Sequence, residues 1–271
     1  MKKNRFKVMG ILLLFCLLLS GCSGNWKDYF YTEESLKQEA QRALEEKYDE
    51  EFVIHDVWIV TQSAFEAMCS PKNDKDVVFE IALFKDGTGM YQDEYMQGIV
   101  SKQLSERVQA KLQKVFGNDC YVKANFYGGL PTVEDLMELH GGKASVKDCL
   151  KNLTVEEYYK LDEAPYLALW IMVDKEKLDD SEEKIRAEYE CLSTLFDNEP
   201  MQNAGCGCYF MDEDILEQSK NYLQKKDSAT EKFRNIMEEE ASEFGFGYND
   251  GAINKNFEDY NEIRKEVGIN E

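Results

Sequence analysis

The clearest periodicity in the chain is one apolar stripe. Met96, Ile99, Leu104, Val108, Leu112 and Val115 recur at helical spacing, and Gly117 follows them. Residues so spaced share one face of a 3.6-residue helix, and a glycine just beyond is a common stop. A shorter stripe (Leu36, Ala40, Ala43, Leu44) opens after Thr32, whose hydroxyl suits an N-cap, with Glu33 and Glu34 favourable to the helix dipole. It predicts a helix to about Tyr48. Residues 52–61 are β-rich and almost continuously apolar, which predicts a well-buried strand. A second strand is expected over 76–84, a turn at Asp86-Gly87 and a short returning strand over 89–92. Residues 68–75, with Pro71, read as the loop between the first two strands. Asp93 is placed to cap the long helix. The unit 32–117 is thus expected to be α-β-β-β-α, with helices over one face of an antiparallel sheet.

Beyond Gly117 the pattern changes. A strand is expected over 120–127, ended by Gly128-Gly129. Thr132 with Asp135, Ser145 with Asp148, and the capping box Thr154 with Glu157 then predict three short helices. Pro165 introduces 166–173, apolar enough for a central strand. Residues 181–196 predict a helix with Ile185, Tyr189, Leu192 and Phe196 inward. A short strand follows at 206–210 and a helix at 213–225. Ser228 with Glu231 is a further capping box, opening a helix through Phe233, Ile236, Met237 and Phe244. After Gly245 the glycines and asparagines predict a loop-like tail, with one last turn near 260–265. The expected fold is α+β: antiparallel-rich sheet with helices packed on one face, in two subdomains of similar size, 32–117 and 118–245, then a tail, 246–271. No Pro/Ser/Gly linker separates the halves, so they are expected to pack together, with a hinge near 117–119.

The N-terminus has a different character. Lys2, Lys3, Arg5 and Lys7 precede an apolar run over 8–19 that ends in Leu19-Ser20-Gly21-Cys22. A basic start, a twelve-residue apolar stretch and small residues at the cut describe an export signal. The run is too short to span a bilayer, which takes about 20 apolar residues. A plain secretory signal would also accept Ser20-Gly21. Leucine three positions before the cysteine resembles the lipobox of bacterial lipoproteins. The resemblance covers about the first 24 residues and implies removal of 1–21, a lipidated Cys22 and a tether over 22–31. The implied place is the extracytoplasmic face of a cell membrane, with the lipid at Cys22 as the membrane partner. Two acyl chains on one residue suffice for stable anchoring.

Charge narrows the partners. The chain carries 53 acidic against 32 basic residues. The leader holds four basic and no acidic residues, which leaves the remainder near −25. Such a surface repels phosphate backbones, which excludes nucleic acid as a partner. It also repels anionic head groups, so the body is expected to stand off the membrane. It favours another envelope protein or a cationic peptide. Aromatic residues make up 12% of the chain, enough apolar material for folding to outweigh disorder.

Candidate chemistry is sparse. Beyond Cys22, six cysteines remain after export: Cys69, Cys120, Cys149, Cys191, Cys206 and Cys208. An even count permits bridges, at most one or two in a chain of this size. Cys206-Gly207-Cys208 is the one thiol-exchange or metal candidate; its default reading has the two cysteines facing opposite sides of a strand. Zinc would need a second ligand pair, and no cofactor is expected. His55 sits mid-strand and His140 at a helix end, both structural by default. Ser181-Glu182-Glu183-Lys184 matches the S-x-x-K of penicillin-recognising enzymes, but S-D-N and K-T-G are missing. The stretch around Gly251 fails as an EF-hand, because Phe246 and Tyr248 fall where ligands belong. The expectation is a non-enzymatic binding or accessory protein. A cell-envelope hydrolase is the alternative, to be recognised by paired buried carboxylates in a cleft. A thiol-redox protein is the third reading, to be recognised by reactive thiols at Cys206 and Cys208.

Overall fold

The computed structural model describes residues 31–127, 131–142, 144–161, 165–197, 199, 203–223, 235, 241–249 and 252–268. The leader, Cys22 and the tether up to residue 30 lie outside them, as do Gly128-Gly129 and Ser228 with Glu231.

Helix α1 (Glu33–Tyr48) starts at a capping box. Thr32 Oγ1 accepts from the Ser35 N–H at 3.1 Å, and Ser35 Oγ accepts from the Thr32 N–H at 3.0 Å. Strands β1 (Phe52–Ile59), β2 (Ala64–Pro71), β3 (Phe79–Phe84) and β4 (Met90–Asp93) then form an antiparallel meander in that order. Helix α2 (Tyr95–Phe116) follows and ends at Gly117, whose φ of 73° suits glycine. Asp93 accepts the Tyr95 N–H at 3.0 Å, although the residue preceding the helix is Glu94.

Two expectations fail in this half. Residues 68–71 are not loop but the end of β2, which makes the unit α-β-β-β-β-α. Its sequence, Ala-Phe-Glu-Ala-Met-Cys-Ser-Pro, has weak β-propensity; pairing on both sides makes it a strand, with Ala67 opposite Val57 and Ile81. Second, β1 is the sheet edge rather than a buried strand. Only Phe52 of β1 is buried, and Trp58 and Ile59 are exposed. A continuous apolar run shows what a strand could bury, not which neighbours exist.

The second sheet has the order β5-β6-β7-β8-β9. Strand β5 (Cys120–Tyr127) leads to three short helices, α3 (Val133–Leu139), α4 (Val146–Asn152) and α5 (Val155–Leu161). Their expected caps form: the N–H groups of Asp135, Asp148 and Glu157 reach the Thr132, Ser145 and Thr154 hydroxyls at 3.2, 3.1 and 3.2 Å. Strand β6 (Tyr166–Asp174) lies between β5 and β7 and is mostly buried. A chain segment containing α6 (Glu182–Ser193) carries it over to β7 (Asn203–Met211), which runs parallel to β6; the other pairs are antiparallel. Helix α7 (Glu213–Leu223), strands β8 (Ser242–Asn249) and β9 (Ala252–Ile253), and helix α8 (Phe257–Gly268) complete the order.

Here too the structure corrects the sequence reading. The strand at 206–210 is nine residues long and central. Phe244 belongs to β8, not to a helix, and the supposed tail from 246 is half of β8, then β9 and the twelve-residue α8. Phe244, Phe246 and Tyr248 alternate inward along β8, so a strand period was present. Gly245 and Gly247 between them disguised it as loop.

The architecture is α+β with two mostly antiparallel sheets. One cluster of buried residues runs from Leu36 and Leu44 through α2 to both sheets and on to Tyr260 and Val267 of α8. Helix α7 lies on the other face of the second sheet, where Met172, Met211, Leu216 and Leu223 form a small separate cluster. Helix α2 sits close to β3 because residue 98 is glycine. A Cβ there would stand 3.0 Å from Phe79 Cβ and 3.2 Å from the Val78 carbonyl oxygen.

Candidate functional site

Helix α2 lies against β5 as a strand would. Three side chains at four-residue steps meet three amides at two-residue steps, running in the opposite direction. Ser101 Oγ accepts the Phe126 N–H at 3.3 Å, Ser105 Oγ the Ala124 N–H at 2.9 Å, and Gln109 Oε1 the Val122 N–H at 2.8 Å. Gln109 Nε2 also donates to the Cys120 carbonyl at 2.7 Å. The spacing works because four helical residues rise about 6 Å and two strand residues about 6.6 Å. An edge that would otherwise offer bare amides is closed by side chains. The apolar stripe of α2 is legible in sequence; the polar row of Ser101, Ser105 and Gln109 beside it shows its role only once β5 lies alongside.

Next to the seam is a groove of about 430 Å³ bordered by α2, β5 and α7, including Lys102, Gln109, Gln113, Tyr121 and Lys220. That size falls within the range of small-ligand clefts. Lys102 is held by Asp74 at 2.7 Å and Lys220 by Glu217 at 2.7 Å, so the cationic groups are locally compensated. An adjoining crevice of about 40 Å³ carries the buried Gln97, whose Oε1 has no hydrogen-bond partner. Its size suits a water molecule, the natural partner for that oxygen.

The thiols are in the core. Cys206 and Cys208 are both buried and both face the main cluster. The expectation of opposite sides was wrong, because residues two apart on a strand share a face. Burial pushes both thiols well above the usual cysteine range, and burial pushes Cys120 up to about 11. A thiolate nucleophile near neutral pH has no support in such surroundings. The six cysteines among the described residues are unbridged. Among the described residues no three His, Cys, Asp or Glu side chains gather as metal ligands.

The histidines are held structurally. His55 is the extra residue of a bulge in β1, with Nε2 2.9 Å from Ser70 Oγ. His140 ends α3, and its Nε2 lies 3.4 Å from Glu157 Oε1. Ser181 is an exposed helix start whose side chain makes no capping bond.

Among the described residues two carboxylates are fully buried, Asp174 and Glu188, and each is paired with a cation. Asp174 Oδ2 is 2.9 Å from Lys177 Nζ at the end of β6. Glu188 of α6 takes Arg264 Nε at 2.9 Å and the Tyr260 hydroxyl at 2.8 Å, both from α8. Arg264 also donates from Nη2 to the Asp179 carbonyl at 3.2 Å and places Nη1 3.2 Å from Asp180 Oδ1. Burial lifts the Glu188 carboxyl above its usual range against the opposing pull of Arg264 and Tyr260. Burial disfavours charge on Arg264, but Glu188, Tyr260 and Asp180 together outweigh it and hold the guanidinium above its usual range. This cluster clamps α8 onto α6 and borders neither the groove nor the crevice.

No protein-family model matches the chain, and no curated protein matches it. Among solved structures it is similar to a DUF5037 family protein from Ruminococcus gnavus, with a TM-score of 0.63 at 17% identity, covering 85% of this chain and 99% of that one. That likeness concerns the fold alone. A DUF1672 family protein from Staphylococcus aureus aligns with a TM-score of 0.30 at 11% identity, over 66% of this chain and 79% of that one.

Proposed function

We propose that the chain is a bacterial lipoprotein, anchored through Cys22 on the extracytoplasmic face of the cell membrane, where it acts as a non-catalytic binding or accessory protein of the envelope. The observation that carries this reading is Leu19-Ser20-Gly21-Cys22 behind the twelve-residue apolar run. Among the described residues no helix is long and apolar enough to cross a membrane. Binding is favoured over hydrolysis because the two buried carboxylates are each paired to a cation and stand apart from the groove. It is favoured over thiol exchange because Cys206 and Cys208 are desolvated. The groove beside α2 is a place on the body able to take a small ligand, and the acidic surface suits a cationic peptide or a basic face of another envelope protein.

Mass spectrometry of the native N-terminus tests the anchor. The expected result is Cys22 as first residue carrying a diacylglyceryl group, and loss of that mass with release from membranes in Cys22→Ser. A retained leader, or unchanged membrane retention of Cys22→Ser, overturns it. Cross-linking in intact cells followed by pull-down tests the binding role; a protein recovered without any partner counts against it.

A further inference from the structure

The N-terminal entry to the body is tied to one end of the four-stranded sheet. Tyr31 donates its hydroxyl to the Lys85 carbonyl, in the β3–β4 turn. Lys85 in turn holds the β1–β2 hairpin: its N–H reaches the Ser63 carbonyl at 2.8 Å, and its ammonium reaches the carbonyls of Thr61 and Gln62 at 3.0 and 3.3 Å. Both hairpin tips and the chain entry therefore meet at this end.

Large apolar side chains are exposed at the same end. Trp58, Ile59, Val60, Phe84 and Tyr91 are 36, 59, 47, 39 and 46% exposed, and the Phe84 and Tyr91 rings lie 4.7 Å apart. The far end of the sheet differs in character. There Glu45, Asp49, Glu50 and Glu51 surround a shallow hollow with Lys147. The sheet is thus apolar where the tether enters and acidic at the other end.

We propose that this apolar end rests on the lipid surface to which Cys22 is anchored, with Trp58, Ile59 and Val60 in the head-group region. The inference builds on the anchoring reading. Cys22 is nine residues before Tyr31, a reach of about 30 Å at full extension. The tied end is therefore held close to the membrane, and the patch meets it at high effective concentration. Tryptophan and tyrosine favour this interface, having an apolar ring and a polar handle. The acidic excess makes the body as a whole stand off anionic lipid, but that repulsion is screened beyond about 8 Å at physiological salt. The acidic end points away. With Glu66 and Asp86 near the patch, the matching surface is zwitterionic lipid rather than anionic clusters.

The test uses the full, lipidated protein in phosphatidylcholine vesicles, with Trp26→Phe and Trp170→Phe so that Trp58 alone emits. The expected result is a blue shift on reconstitution and loss of emission when the phosphatidylcholine is brominated near the top of its acyl chains. Ile59→Ser with Val60→Ser should reduce that loss while the far-ultraviolet circular dichroism stays unchanged. If the mass shows lipid on Cys22 and Trp58 is untouched by brominated lipid but open to iodide, the contact is refuted while the anchor stands. A bare Cys22 refutes the anchor, and the contact with it.

Discussion

The hydroxyl of Ser105 accepts the backbone N–H of Ala124 at 2.9 Å, so a helix stands where a neighbouring strand would be. Ser105→Ala leaves that buried amide unsatisfied and should cost about 1–3 kcal/mol. A lowered urea midpoint and faster hydrogen exchange at Ala124 are expected. Unchanged protection of Ala124 would mean that the seam is held by packing alone.

Gly98→Ala should destabilise although alanine is the better helix former by about 1 kcal/mol. The new methyl meets Phe79 Cβ at 3.0 Å, Val77 Cγ1 at 3.2 Å and backbone at 3.2 Å, and overpacking of that kind costs about 1–3 kcal/mol. Thermal denaturation reads the sign. A more stable variant would show that α2 can move off β3.

Arg264→Ala leaves the Glu188 carboxylate buried without its cation and should cost about 3–5 kcal/mol. Glu188→Leu combined with Arg264→Met and Tyr260→Phe, which also removes the hydroxyl that would lose its acceptor, should come out near neutral, or more stable, because an apolar cluster avoids the desolvation. Denaturant titration of the two variants separates a clamp from a mere contact. Equal losses in both would refute the account.

Thr132 and Asp135 supply a pH-dependent contribution. Hydrogen bonds from the Thr132 N–H and hydroxyl hold the Asp135 carboxyl below the usual carboxylate range. A depressed acid adds stability above its unfolded-state value and loses it as pH falls through the folded value. Thr132→Ala should cost about 0.5–2 kcal/mol at neutral pH and less at low pH. The carboxylate is exposed, so salt should screen part of the effect. Stability curves of both proteins against pH check this; parallel curves would exclude it.

Cys206 and Cys208 should resist an aromatic disulfide reagent in the native protein and react fully in denaturant, since burial raises both thiols. Fast native labelling of either would reopen thiol exchange.

Legibility followed locality. The α2 stripe, the three cap-marked short helices and strands β5 and β6 could be read because each is dictated by its own residues. Strand β2 could not, since Met68, Cys69 and Ser70 become strand only through partners on either side. β8 was lost to Gly245 and Gly247, although Phe244, Phe246 and Tyr248 kept the two-residue step. Helix α8 reads as no more than a turn because its inward row of Phe257, Tyr260, Ile263 and Val267 is interrupted by the buried, charged Arg264. The groove and the apolar sheet end were hidden for the same reason: each is assembled from segments distant in sequence. The candidate residues fared differently, with Cys22 outside the described residues and the cysteine pair in the core.

The Glu188–Arg264 pair also sets an order of events. Its members are 76 positions apart, with the arginine in α8. A chain emerging from the ribosome presents the acid well before its counter-charge exists. Until α8 arrives, packing α6 into the core would leave a carboxylate buried without its cation. Completion of the interior therefore waits for α8, and the part of the core around Glu188 closes only when Arg264 is in place.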